Sequence, residues 1–226
     1  MLRRTVTIAA LIMALARAAN AGASAQDVAA THAYIRADYA VTKASVALID
    51  PGQAKIEALN SRLAHECPKA GKGTPQDETA QAMSYDVADA LWSLSYGTVA
   101  APIRTFVAAV RRLHWSSPHI TSLAHKYASD LHELSMLPLP DLCSDVRAWT
   151  ASGFQVVPAN VLALDQRVEA IQPEPVPAKL FAPFERGSDA SMEARAHGFE
   201  DKLAETEFVI GQDDWLQILE TLGLPG

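Results

Sequence analysis

Two cysteines, Cys67 and Cys143, are the only sulfhydryl residues in the 226-residue chain, and their placement constrains its fold more than any other feature. Cys67 continues an apolar stripe of Ile56, Leu59 and Leu63. Cys143 lies in the stretch Leu139–Trp149, which reads as the first turns of a helix. The sequence between them is predicted as helical hairpins. Two cysteines in an exported chain most simply form one disulfide. Closing a loop of this length restricts the unfolded chain by roughly 4–5 kcal/mol in the chain-entropy account. The alternative, a redox pair, lacks the Cys-x-x-Cys spacing that lowers a thiol pKa. A Cys67–Cys143 bond is therefore expected, with the rest of the chain extending from the two ends of that loop.

Export is read from residues 1–25. Met1 to Arg4 is positively charged, Thr5 to Ala16 is apolar, and Ala19-Asn20-Ala21 and Ala23-Ser24-Ala25 are small-x-small sites followed by polar Gln26-Asp27. That is the pattern of a cleaved secretory signal. An N-terminal anchor is the alternative, but the apolar run is too short to span a bilayer and Arg17 interrupts it. Arg3-Arg4 fits the twin-arginine motif only loosely, which leaves the export route open. The expected location is secreted or periplasmic, with no stable membrane anchor after cleavage. The whole chain carries a formal charge of −7, and from Gln172 onward eleven acids face four bases. Such an acidic chain has no electrostatic footprint for nucleic acid or anionic lipid.

Periodicity near 3.6 residues runs through most of the remainder, and alanine, the best helix former, is abundant. The first helix is expected over about 27–49, with Val28, Ile35, Tyr39, Thr42 and Val46 inward. Asp50-Pro51 and Thr74-Pro75 read as cap-plus-proline helix starts, as does Ser117-Pro118. The helix after Thr74 presents Met83, Val87, Leu91 and Leu94 on one side and Tyr85, Trp92 and Tyr96 on nearly the opposite one, the mark of a central helix packed on both sides. The helix after Ser117 carries Ile120, Leu123, Tyr127, Leu131 and Leu134 inward, with His125 and His132 towards solvent. Phe154–Val157 is the one strand-like run. These readings give an all-α, up-and-down bundle of about seven helices over residues 26–171. A Pro-rich linker (172–179) and an acidic helical appendage (180–226) follow. The apolar residues around Trp215–Leu222 are expected to fold back onto the Tyr85–Trp92–Tyr96 side.

No catalytic or cofactor motif stands out, so no cofactor is expected. Gly71-Lys72-Gly73-Thr74 lacks the first glycine and the strand of a phosphate-binding loop. His32 and His114 fall on apolar stripes and are weak metal candidates. Glu193, His197 and Asp201, at i, i+4 and i+8, are another weak set whose simpler reading is a solvated helix face. Tyr85, Trp92 and Tyr96 are the candidate ligand or docking face. The leading expectation is a non-enzymatic binding protein for a protein partner or a small apolar ligand. A metal- or cofactor-binding bundle, and an enzyme with dispersed site residues, are the alternatives.

Overall fold

A computed structural model describes residues 24–171 and 212–226. Among the described residues there are eight helices: α1 (Ala25–Val46), α2 (Ile49–Glu66), α3 (Asp77–Thr98), α4 (Ala100–Val110), α5 (Pro118–Leu134), α6 (Leu142–Ala151), α7 (Ala159–Ala170) and α8 (Gln212–Leu222). The fold is the expected all-α bundle.

Helix ends follow local chemistry at some positions and tertiary contacts at others. Ser24 caps α1, its hydroxyl accepting from Asp27 N, and Ser117 caps α5 with Pro118 next in line. Asp141 caps α6 by accepting from Ser144 N at 3.2 Å. By contrast, α2 begins at Ile49 rather than after Asp50, and α3 at Asp77 rather than after Thr74. The start of α3 is instead tied outward: Gln76 Nε2, just before it, donates to Gln155 Oε1 at 2.7 Å, and Thr79 Oγ1, in its first turn, to Phe154 O at 2.9 Å.

The expected strand at Phe154–Val157 is absent because α6 ends in a Schellman turn. Gly153 N donates to Thr150 O and Phe154 N to Trp149 O, with Gly153 and Phe154 both at positive φ (67° and 65°). A left-handed phenylalanine cannot begin a strand. Its ring packs edge-on against Trp149, centroids 5.0 Å apart, and closes over Gly73, where any Cβ would fall 1.7 Å from the ring.

Two apolar cores form. One joins α1, α4 and α5 around Tyr34, Phe106, Val110 and Trp115. The other joins α2, α3, α6, α7 and α8 around Leu63, Met83, Val87, Trp149 and Leu222. Helix α3 contributes to both, so it is central as its two apolar sides imply. Helix neighbours are not always sequence neighbours: α1 packs chiefly on α4, and α2 packs on α8 as well as α3.

Two inward stripes are rotated from expectation. On α1 the buried residues are Ala30, Thr31, Tyr34, Ile35, Asp38, Thr42 and Ser45; Thr31 turns inward because its hydroxyl accepts the Trp115 indole N–H at 2.9 Å. On α5 the fully buried residues are Ala124, Ala128 and Leu134, with Ile120, Tyr127 and Leu131 of the expected stripe half-buried against the first core. Small alanines let another helix approach closely there, and His125 and His132 become half-buried rather than solvated.

The end of the expected appendage is part of the second core. Ile218, Leu219 and Leu222 of α8 are at most 1% exposed. A second Schellman turn at Gly223 (φ 68°) lets Ala70 N donate to Leu222 O at 2.8 Å. Helix α8 therefore folds back, as expected, but onto α2 and the Ser84 side of α3, where Trp215 Nε1 donates to Ser84 O at 3.3 Å. Leu222→Ala is expected to cost about 2–5 kcal/mol of stability in urea unfolding. A loss under about 1 kcal/mol would show that α8 does not complete the core.

Candidate functional site

The aromatic side of α3 is only partly open. Tyr85 is exposed and its hydroxyl accepts from Gln81 Nε2 at 2.7 Å. Trp92 and Tyr96 are half-buried and stacked, centroids 5.5 Å apart. Asp89 falls on the same side by helical position but is buried.

Asp89 belongs to the feature that sequence reasoning missed. Asp86 is fully buried, and Asp89 and Asp145 are nearly so. Asp86 on α3 lies carboxyl to carboxyl with Asp145 on α6, and among the described residues neither Asp86 oxygen receives an N–H or O–H donor. Two carboxylates can only accept, so their contact becomes a hydrogen bond only when one holds a proton. Asp145 already receives Asn160 Nδ2 at 2.8 Å and sits in the first turn of α6, where the helix dipole favours negative charge. The proton therefore belongs on Asp86. Burial first, then the charge of Asp145 and the bond to it, and last the charge of Asp89, push the Asp86 carboxyl up to about 8.

One turn on, Asp89 meets Asp165 and Glu169 of α7, and burial followed by those two charges raises it to about 7. Asp165 is raised in turn by burial and by Glu169. The arginine of α7, Arg167, pairs with Glu133 at 3.3 Å instead. Among the described residues, the charged groups acting on Asp86 and Asp89 are all acids. A legible signal did exist: a helix apolar on two sides leaves its acids little solvent to face.

This cluster can hold protons, but its centre is sealed from solutes. Among the described residues no group of three or more histidine, cysteine or acidic side chains is placed to hold a metal. His32 is half-buried on α1. Helix α4 ends at Val110, so His114 lies beyond it, exposed in the connection to α5, with its ring edge-on to His125 at 5.6 Å. Glu193, His197 and Asp201 lie outside the described residues. Cys67 and Cys143 are bonded, their Cα atoms 4.8 Å apart, within the range a disulfide requires.

Among the described residues, two clefts open to the surface stand out. One, of about 660 Å³, lies between the α4–α5 connection and α5, beside Trp115, Thr121 and His125. The other, of about 540 Å³, lies beside the disulfide, among Arg62, Glu66, Leu139, Asp141 and Arg147. No protein-family model, curated protein or solved structure matches the chain.

Proposed function

We propose that the chain is an exported, non-catalytic interaction protein that engages a protein partner at the disulfide-side cleft. The observation that carries this reading is the composition of that surface. Met136 and Leu139 are 58% and 42% exposed in the α5–α6 connection, and Leu139, Arg62 and Arg147 line the cleft. Exposed apolar side chains beside a polar rim of Arg62, Glu66, Asp141 and Arg147 have the composition of a protein interface. The backbone beneath them is held on two sides, by the Cys143 bond and by Ser93 Oγ donating to Pro138 O at 2.9 Å. Little ordering is then left for a partner to impose.

Export is supported by the signal pattern and by the disulfide, which persists in oxidising compartments. Cleavage before Gly22 would leave the Ser24 cap of α1 in the mature chain, whereas cleavage before Gln26 would remove it.

The test places a photo-crosslinker at Leu139 in cells of the native host. A discrete adduct is expected on a product beginning near Gly22 or Gln26. The adduct should be lost when Met136→Asp is added and kept with Tyr85→Ala, at unchanged melting temperature. An adduct indifferent to Met136→Asp, or none at all, removes this face from the account. A product retaining Met1 would instead mark the first segment as an anchor.

A further inference from the structure

We propose that His114 and His125 form a two-imidazole site for a divalent first-row transition ion such as zinc, at the cleft between the α4–α5 connection and α5. Their ring centroids are 5.6 Å apart. An ion about 2.0–2.1 Å from a nitrogen of each ring, at a tetrahedral angle, sets the two ring centres roughly 5 Å apart. The observed centroid separation is close to that spacing.

The protonation pattern suits a ligand. His125 Nε2 lies 3.0 Å from Leu113 O. A carbonyl only accepts, so Nε2 carries the hydrogen and the neutral ring keeps its lone pair at Nδ1. A ring nitrogen donating to a backbone carbonyl while the other stays free is the usual arrangement of a metal-bound histidine. The His114 ring is exposed and, among the described residues, makes no hydrogen bond and meets the His125 ring edge-on.

The connection bearing His114 is held more firmly than an exposed turn requires. Gln26 Nε2 donates to His114 O at 3.2 Å, and Trp115 N to Thr121 Oγ1 at 2.9 Å. Ser116 donates its N–H and its hydroxyl to the Asp27 carboxylate, each at 2.6 Å. The Trp115 side chain is buried beside Tyr34. A backbone fixed on both sides of His114 keeps its imidazole within reach of α5, as a metal ligand needs. The one lysine at the cleft, Lys126, is paired with Asp130, which offsets its charge. Two protein nitrogens leave the remaining positions of the ion to water or to a small exogenous ligand. This site is separate from the proposed partner surface and does not depend on it.

Calorimetric titration of the untagged full chain with zinc at pH 7.5 tests the site. One ion per chain is expected. Affinity should fall about tenfold or more in His114→Asn and in His125→Asn, and should be unchanged in His119→Asn, an exposed histidine in the first turn of α5. His125→Asn also removes the bond to Leu113, so His114→Asn, which alters only an exposed ring, is decisive. No binding, unchanged affinity in His114→Asn, or an equal loss in His119→Asn overturns the proposal.

Discussion

Asp86→Asn is expected to raise the melting temperature strongly at pH 8 and by much less at pH 5. In the folded chain the Asp86 carboxyl is pushed up to about 8, from an ordinary value of 3.8. Between those two pH values the folded state holds a proton that the unfolded state has released. Folding takes up that proton, so this group's contribution to stability is greatest below about pH 4. It declines as pH rises through the window and is flat above about 8. Asp89, raised to about 7, acts in the same direction over a window that closes about one unit earlier. Each proton taken up costs at most about 1.4 kcal/mol per pH unit. An asparagine amide can donate to Asp145 at every pH, as the protonated carboxyl does only below its titration. The variant should thus be the more stable chain at pH 8, with a shallower pH profile. Urea unfolding of both chains at pH 5 and pH 8 decides it. A wild-type chain equally stable at the two pH values would mean that Asp86 does not hold its proton.

Breaking the Cys67–Cys143 bond is expected to cost about 4 kcal/mol. The two cysteines are 76 residues apart in sequence, and a loop of that size gives roughly 4.5 kcal/mol by loop-closure entropy. The bond also joins the end of α2 to the first turn of α6, and the Ala70–Leu222 hydrogen bond forms three residues beyond Cys67. Reduction should therefore loosen the seating of α8 along with the loop. Urea midpoints with and without reductant, and the Cys67→Ala/Cys143→Ala chain, give the measurement. Labelling of the denatured, unreduced chain should find no free thiol. A reduced chain within about 1 kcal/mol of the oxidised one would show that residual structure or α8 docking already restricts the loop.

Helical content, the cap of α5, the disulfide partners and the central place of α3 can be read from the residues alone. Each depends on neighbours within a turn or two, or on there being just two cysteines to pair. The 3.6-residue spacing of Met83, Val87 and Leu91 predicts burial whatever packs against it. Tertiary structure decided the rest. Helix α1 is rich in alanine, so its apolar contrast is weak, and a single bond from Trp115 to Thr31 settles which side turns inward. Phe154 enters the left-handed region because Trp149 and Gly73, distant in sequence from each other, form the slot for its ring. His114 and His125 belong to a connection and a helix whose facing no periodicity encodes. The acid cluster draws on α3, α6 and α7 at once. A buried carboxyl becomes chemically distinct only when other elements remove its water and bring further negative charge beside it, and that is a property of the assembled bundle rather than of any segment.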